Sequence, residues 1–369
     1  MSSWRAISIS GACMTSAPTR LATVAGEDES LRADLALNHY LAPLRSFLEL
    51  SGTTEVCINK PGQVVVQREG VHGWSYHDVP QLDFTYCERL AQLVATYSAQ
   101  RLDEKRPMLS ATLPGGQRCR IVRPPATLPG TISFTIRQPS SVFLTLDAYE
   151  QQGAFAAVID QPQQLSADES ALLELKRQRR YRDFIDLAAQ SRQNIIVSGA
   201  TGSGKTTFAR AIVARIPAHE RLLSIENVDE LKLRATHDNS VALFYSGDGQ
   251  GLSEATPQTL MQSSLRQKPD RVFLAELISG NEAYYFMDTV SSGHPGSITT
   301  MHAESPRLCI ERLISLIRRS DDGRTMSTAD IRAMVHLCID IVIQFKVVQG
   351  RRGVTEIYYE PEYKKSLMA

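Results

Sequence analysis

The sequence predicts an α/β protein in which a small α+β amino-terminal domain precedes a larger domain built on a parallel sheet. Three observations support this prediction. A chain of 369 residues is too long for one typical core, and about two domains is the natural expectation. From Asn194 onward, apolar strands alternate with amphipathic helices, which is typical of parallel sheets covered by helices. Residues 199–206 read GATGSGKT, the phosphate-binding P-loop pattern.

Composition narrows the class of protein. The chain has 40 basic and 40 acidic residues and a formal net charge of zero, so we predict no specific nucleic-acid partner, because non-specific binding depends on a basic surface. No segment approaches the ~18 apolar residues of a membrane-spanning helix. Residues 1–30 are rich in Ser, Thr and Ala and lack the apolar core of a signal peptide, so we predict a mobile tail.

Cysteine usage predicts free thiols in a reducing cytoplasm. None of the six cysteines forms a C-x-x-C pair, so neither a zinc ribbon nor a disulfide framework is indicated. The positions are Cys13, Cys57, Cys87, Cys119, Cys309 and Cys338.

The predicted amino-terminal domain covers residues 31–140. Near-helical spacing of apolar residues predicts two helices, and alternating runs bounded by Pro and Gly predict strands and hairpins. Trp74 and Tyr76 indicate one further strand. The predicted helices are Leu31–Leu50 and Phe84–Gln100, the second with Cys87, Leu90, Ala91, Val94 and Tyr97 on its core face, and the strands are Glu55–Asn59, Gln63–Arg68, Pro107–Leu113, Arg118–Val122 and Thr131–Arg137.

Residues 141–190 are predicted to be a linker that contains helices. Leu144–Phe155 is predicted to be helical, Asp160–Ser166 is rich in Gln and Pro, and Asp168–Ala189 is predicted to form one amphipathic helix. Five basic residues lie within Lys176–Arg182. They form either a solvated helix face or a contact with acidic lipid headgroups or a neighbouring subunit.

The predicted second domain covers residues 191–369. Its strands and helices alternate until a closing β-hairpin over Cys338–Val348 and Val354–Tyr359. The other predicted strands are Asn194–Ser198, Arg221–Glu226, Arg271–Glu276 and Gly296–His302, and the helices are Thr207–Ala214, Leu260–Gln267, Glu282–Ser291 and Arg307–Arg319.

The P-loop lies between a predicted strand and a predicted helix, which is the context that the motif requires. Its glycines let the backbone approach phosphates, and its N–H groups with the helix N-terminus form an anion site. Lys205 supplies a point charge for the β- and γ-phosphates, and the Thr206 hydroxyl is a ligand for Mg²⁺. The predicted nucleotide-binding residues here are Gly199, Ala200, Thr201, Gly202, Ser203, Gly204, Lys205, Thr206 and Thr207.

Three further strands end in residues able to act at this site. Glu226 and Glu276 each follow an apolar run, and His302 ends a third strand. Ligands of open α/β sheets lie at the carboxyl ends of strands, so we predict that these side chains converge on the P-loop. Glu226 is predicted to position the attacking water, Glu276 to hold Mg²⁺, and His302 to sense the γ-phosphate. The sequence alone does not decide which of the two glutamates has which of these two roles.

The motifs together resemble the VirB11-type ATPases of bacterial type IV secretion systems, within the secretion ATPase superfamily. The resemblance covers nearly everything from Leu31 to Tyr359 and is strongest in the run SSGHPGSITTMHA, residues 291–303. It also includes the P-loop, the acidic segment Glu226–Glu230, the run before Glu276, and segments around Arg118–Pro125 and Ile132–Arg137.

This resemblance implies a RecA-like ATPase domain, ATP and Mg²⁺ as ligands, and a homo-hexameric ring at the cytoplasmic face of the inner membrane. Such a motor would energise substrate transfer or conjugative pilus assembly together with other secretion components. Nucleotide would lie between the two domains, reached from the amino-terminal side by Arg137 and by Arg118 or Arg120. Arginine suits this task because it contacts phosphate through two donors.

One segment departs from the family pattern. Relatives usually follow the Glu276 position with Leu-Arg-Gly, whereas this chain reads LISGNEA over residues 277–283. An arginine is therefore missing there, and we assign no catalytic arginine to this loop.

Alternative functions remain open at this stage. A motor of type IV pili or type II secretion shares the P-loop and acidic segments, but type II motors typically carry a four-cysteine zinc insertion that this sequence lacks. A nucleotide-gated docking module with little turnover and a nucleic-acid translocase are the other candidates. Roughly sixty residues separate Arg137 from Gly199, enough for one subunit's amino-terminal domain to pack on its neighbour.

Overall fold

The computed structural model describes residues 34–139, 144–158, 164–247 and 250–368. It contains a six-stranded and a seven-stranded sheet, and the predicted α/β class with a small amino-terminal domain is confirmed. The predicted tail, residues 1–30, lies outside the described residues.

The six-stranded sheet is antiparallel and forms the amino-terminal domain, with the order β3-β2-β1-β6-β5-β4. Leu90 and Val94 of the second helix pack against sheet residues such as Val56 and Phe134, whereas Tyr97, predicted on the core face, is exposed. Helical residues 34–40 come first. The elements are α1 (Ala42–Leu48), β1 (Thr53–Ile58), β2 (Gln63–Arg68), β3 (Ser75–Asp78), α2 (Phe84–Tyr97), β4 (Met108–Thr112), β5 (Arg118–Val122) and β6 (Ser133–Arg137).

The linker holds α3 (Leu146–Gln151), α4 (Ala167–Arg177) and α5 (Tyr181–Gln190). The prediction of one helix over Asp168–Ala189 is wrong, because Arg179 adopts a left-handed conformation (φ 57°) and ends α4. Apolar periodicity continues across this break, so the pattern alone did not reveal it. Within the basic stretch, Arg177 pairs with Glu174 at 2.8 Å and Arg180 pairs with Asp183 at 2.7 Å.

The seven-stranded sheet has the order β13-β12-β7-β11-β10-β8-β9. All neighbours are parallel except β12 and β13, which form the predicted closing hairpin. Edge strand β9 and helix α10 were not predicted. The elements are β7 (Ile195–Ser198), α6 (Lys205–Val213), β8 (Leu222–Glu226), β9 (Ser240–Phe244), α7 (Pro257–Ser264), β10 (Arg271–Glu276), α8 (Gly280–Ser291), β11 (Ile298–Met301), α9 (Pro306–Arg318), α10 (Thr328–Cys338), β12 (Ile341–Val348), β13 (Arg351–Tyr359) and α11 (Pro361–Ser366).

A buried polar network joins the two sheets within one chain. The fully buried Arg221 at the start of β8 donates to Asn59 Oδ1 at 2.8 Å and to Thr135 Oγ1 at 3.2 Å, both on the amino-terminal side. At the other end of the β8–β9 pair, the Phe244 N–H of edge strand β9 donates to the carbonyl of Ala126 at 3.0 Å. The amino-terminal domain therefore packs on the β8–β9 side of the larger sheet.

Candidate nucleotide-binding site

The P-loop connects the fully buried strand β7 to helix α6. Gly202 (φ 73°) and Gly204 (φ 99°) adopt the left-handed conformation that favours glycine. Gly199 has a different reason to be glycine, because an added Cβ would overlap the carbonyl oxygen of Phe345 on β12. Lys205 begins α6, so the loop presents a helix N-terminus of the kind that binds anions.

Lys205, at the start of α6, meets Glu276 and His302, which lie at the carboxyl ends of β10 and β11. The Lys205 ammonium lies 3.2 Å from Glu276 Oε1, and His302 Nε2 lies 2.9 Å from the same oxygen. Lys205 Nζ also approaches His302 Nδ1 at 3.3 Å. Strand β11 brings these groups together, because it pairs in parallel with both β7 and β10. Two of the three strand ends predicted to converge on the P-loop, Glu276 and His302, thus lie beside Lys205.

Glu226 occupies a different environment. It is fully buried, and its Oε2 accepts hydrogen bonds from the N–H groups of Glu230 at 2.8 Å and Leu231 at 2.9 Å. Burial raises the pKa of its carboxyl group, while hydrogen bonds from Ser224 and from these two N–H groups oppose the rise. Glu226, the third predicted strand end, thus holds the loop that follows β8, and Glu230 and Lys232 of that loop line the P-loop cavity described next.

A cavity of about 400 Å³ opens beside the P-loop. Four cationic side chains and one carboxylate line it, so its charge suits a phosphate ligand. Glu230 falls within the acidic segment noted in the sequence, whereas Arg210, Lys232 and Arg352 were missed. The lining residues are Gly202, Gly204, Lys205, Thr206, Thr207, Arg210, Glu230, Lys232 and Arg352.

The three amino-terminal arginines lie elsewhere within the chain. Arg118, Arg120 and Arg137 line a separate cavity of about 530 Å³ together with Arg266, and no P-loop residue is in its lining. Arg120 Nε donates to Ser263 Oγ at 2.9 Å. Burial, reinforced by the nearby Arg266, lowers the pKa of Arg120 to about 10. One chain therefore does not place these arginines against its own P-loop cavity.

The residues of the P-loop fit a Mg²⁺-bound nucleotide. The Ser203 hydroxyl is buried and has no hydrogen-bond partner among the described residues, which is unusual unless a ligand supplies one. Thr206 lies in the first turn of α6 and lines the cavity, and Glu276 keeps its side chain 28% exposed. A hydroxyl and a carboxylate are oxygen donors of the kind that Mg²⁺ prefers.

Comparisons with known proteins identify the family of this chain. A family model described as "Type II/IV secretion system protein" matches residues 41–350. A curated VirB11 protein of Brucella suis is 41% identical over 346 residues, covering 92% of this chain and 95% of the relative. The chain belongs to the VirB11 family. A VirB11 of Bartonella quintana is 40% identical over 339 residues, covering 89% and 94%.

A solved structure supports the same assignment of this chain to the VirB11 family. The crystal structure of the VirB11 ATPase from the Brucella suis type IV secretion system in complex with sulphate matches with a TM-score of 0.83 and 41% identity. It covers 89% of this chain and 99% of that one. The predicted resemblance and the secretion ATPase class are thereby confirmed.

The loop that departs from the family pattern forms a helix cap. Ser279 is the N-cap of α8, and its hydroxyl accepts from the Glu282 N–H at 3.3 Å. The Glu282 carboxylate accepts in return from the N–H groups of Ser279 at 2.8 Å and Ile278 at 3.0 Å. This reciprocal capping box provides acceptors for backbone N–H groups that have no partner within the first turn of the helix. The altered segment therefore starts α8 directly after Glu276.

Proposed function

We propose that this protein is the ATP-hydrolysing motor of a type IV secretion system and that it works as a homo-hexamer at the cytoplasmic face of the inner membrane. Membership of the VirB11 family supports the secretion ATPase activity. The ring, the membrane location and the contact with other secretion components are expectations carried by that membership. Within the described residues, no helix has the length and apolarity needed to cross a bilayer.

One observation carries the proposal of ATP hydrolysis, namely the cluster of Lys205, Glu276 and His302 beside the P-loop. A cation at the β/γ position, a carboxylate and an imidazole are the groups that phosphoryl transfer to water requires. Lys205 stabilises the negative charge that develops on the phosphates. The Glu276 carboxylate faces the Lys205 ammonium at 3.2 Å.

Thr206 and Glu276 are the residues that we assign to Mg²⁺, which neutralises phosphate charge when bound. Because Glu276 itself contacts Lys205 and His302, we assign it the orientation of the attacking water in preference to Glu226. His302, 2.9 Å from the Glu276 carboxylate, keeps that carboxylate in position and reports on the γ-phosphate. Glu226 retains the nearby loop in place through its two backbone contacts.

Arg118, Arg120 and Arg137 enter this proposal as donors to a neighbouring subunit's nucleotide. The support is their position, because they line a cavity of this chain that contains no P-loop residue, while the family places nucleotide between the two domains. In a ring, head-to-tail contacts bring one subunit's amino-terminal surface to the next subunit's site.

The experiment is phosphate release by the purified full-length protein with ATP and Mg²⁺. We expect steady turnover by the wild type and at least a ~100-fold loss in Lys205→Ala, because a charge at the transferring phosphate is removed. Lys105→Ala is the control, since Lys105 pairs with Glu254 at 3.2 Å and is not among the residues that line the P-loop cavity. Tight ATP binding without turnover by the wild type would instead identify a nucleotide-gated docking module.

A further inference from the structure

Arg352 in the terminal hairpin has no assigned role. It lies near the start of β13, where its backbone pairs with Val347 of β12. The hairpin turns at Gln349 (φ 52°) and Gly350 (φ 76°). Arg352 is 147 positions after Lys205 along the numbering, and no sequence motif links the two residues.

The fold nevertheless places Arg352 against the P-loop. A Cβ built on Gly204 would lie 3.2 Å from Arg352 Cδ and 3.5 Å from Arg352 Nε. Arg352 also lines the same cavity as Lys205 and Thr206. Within the described part of the chain, its guanidinium makes no hydrogen bond or ion pair. An arginine whose guanidinium has no partner among the described residues thus lies beside a phosphate-binding loop.

The position of this arginine is set by the sheet. Strand β12 runs parallel to β7, with Gln344 opposite Ser198. Phe345 of β12 stacks on Phe208 of α6 with ring centroids 4.7 Å apart, and its ring also lies 3.5 Å from the Cβ position of Gly204. The hairpin is therefore packed on both the strand and the helix that flank the P-loop.

We propose that Arg352 binds the α- and β-phosphates of the nucleotide held by the P-loop of its own chain. This inference rests on the proposed function and adds a phosphate-binding residue to it. Guanidinium groups bind phosphate through paired, charge-assisted hydrogen bonds. The left-handed Gly204, which has no side chain, leaves the space that the arginine stem occupies.

The choice of phosphates follows from the two ends of the site. P-loop amides cradle the α- and β-phosphates, and the lysine reaches the β- and γ-phosphates. Glu276 and His302 lie at the Lys205 ammonium and mark the γ-phosphate end. Arg352 shares its cavity with Thr206 and Thr207, and neither Glu276 nor His302 lines that cavity. Arg352 is therefore assigned to the α- and β-phosphates, which ATP and ADP have in common.

The test measures binding of fluorescent ATP and ADP analogues to the full-length protein by titration. We expect Arg352→Ala to weaken both analogues about 10-fold, as expected for loss of one charge-assisted contact, with Arg352→Lys losing less than Arg352→Ala. Arg351→Ala is the control, because its side chain points to the opposite face of the strand, and we expect it to bind as the wild type does. Arg352→Gln also removes the charge but keeps most of the side-chain stem packed on Gly204, so we expect it to weaken both analogues as well.

Two results would overturn the inference. In the first, Arg352→Ala and Arg352→Gln bind both analogues as tightly as the wild type. In the second, only the ATP analogue is weakened, which would place the guanidinium at the γ-phosphate. Lys205→Ala, measured in parallel, separates these results from failure of the proposed function. If Lys205→Ala binds as the wild type does, the P-loop itself is not the nucleotide site.

Discussion

At the residue scale, the two strand-terminal glutamates differ in environment although they have similar sequence contexts. Each follows an apolar strand, yet Glu226 is fully buried and holds two backbone N–H groups. Glu276 remains partly exposed and touches Lys205 and His302. The local sequence shows where a strand ends, whereas the rotation of the side chain at that end depends on the loop that follows.

This difference predicts unequal effects of the same substitution. We expect Glu276→Gln to lower ATP turnover at least ~100-fold, because it removes the carboxylate next to the reacting phosphate. Glu226→Gln is expected to lower it less than ~10-fold, since an amide oxygen still accepts both backbone hydrogen bonds. Phosphate release measured on the two purified variants decides between them. A larger loss in Glu226→Gln would return the water-positioning role to Glu226.

A second residue-scale prediction concerns Glu55 on β1. Burial raises its pKa from 4.5 to about 7, although Arg137 across the sheet and the nearby Lys268 oppose the rise. Its side chain is 3% exposed, and its Oε1 lies 3.5 Å from Arg137 Nε. Since the folded state binds the proton more tightly than the unfolded state, Glu55 favours folding below pH 4.5. That contribution is lost as pH rises towards 7.

Thermal unfolding as a function of pH tests this expectation. Glu55→Gln removes the titration, so its stability relative to the wild type should increase between pH 5 and pH 8, by on the order of 2 kcal/mol. Glu49→Gln serves as the control, because Glu49 is exposed. If the stabilities of the wild type and Glu55→Gln change with pH in the same way, the raised pKa of Glu55 is contradicted.

At the element scale, the P-loop is held between β7 and β12 as well as at the start of α6. Gly199 is packed so closely on the Phe345 carbonyl that a methyl group would overlap it. Gly202 has open space around its Cβ position, and its constraint is the left-handed φ of 73°. Two glycines of one motif are thus required for different physical reasons.

Alanine substitutions separate these reasons. We expect Gly199→Ala to lower the free energy of unfolding by about 3 kcal/mol, because β7 and β12 must move apart. Gly202→Ala should cost only about 1 kcal/mol, which is the backbone strain of one left-handed residue. Denaturant unfolding of the two variants measures both effects. Equal costs would mean that the contact with Phe345 does not constrain the loop.

At the scale of the whole molecule, the two domains are joined through a buried cation. Arg221 donates to the Gln267 carbonyl at 2.8 Å within its own domain and to Asn59 and Thr135 of the other domain. Its guanidinium also lies 5.7 Å from the centroid of the Trp74 ring. Arg221 is thus one of several contacts between the domains, and its donors are satisfied from both sides.

Replacing this arginine should loosen the interface selectively. We expect Arg221→Met to cost about 3 kcal/mol, because buried acceptors lose their donor. Hydrogen exchange should then accelerate at the cross-domain amides of Phe244 and Glu254. Arg271→Met is the matched control, since Arg271 is also fully buried but binds Glu220 within its own domain at 2.7 Å. Exchange that accelerates equally at these amides in both variants would contradict the assignment.

A second prediction at this scale concerns the arginines of the amino-terminal domain. If Arg137 serves a neighbouring site, Arg137→Ala and Lys205→Ala rings should each lose ATP turnover, while subunits mixed before assembly should recover activity. Random mixing of equal amounts gives about a quarter of sites with both an intact P-loop and an intact neighbour. Phosphate release after mixing measures this recovery. No recovery would place Arg137 at the P-loop of its own chain.

Much of the fold could be predicted from the sequence, because apolar periodicity and glycine-rich punctuation are local signals. The P-loop, the Glu276 strand and the closing hairpin belong to this group. Edge strand β9 was missed, because it is a short apolar run with no alternation. The break at Arg179 was missed because periodicity persists across it. Both misses come from segments whose conformation depends on what they pack against.

The sequence by itself determined that the P-loop, Glu276 and His302 meet, since parallel strands that alternate with helices deliver their carboxyl ends to one edge. Only the tertiary structure decided the partners that come from distant parts of the chain. Strand order places β12 beside β7, which brings Arg352 to Gly204. The amino-terminal domain packs on the β8–β9 side, and Arg137 therefore lines a cavity without P-loop residues. No local pattern records strand order, because it depends on how the finished sheet buries its faces and not on any one segment.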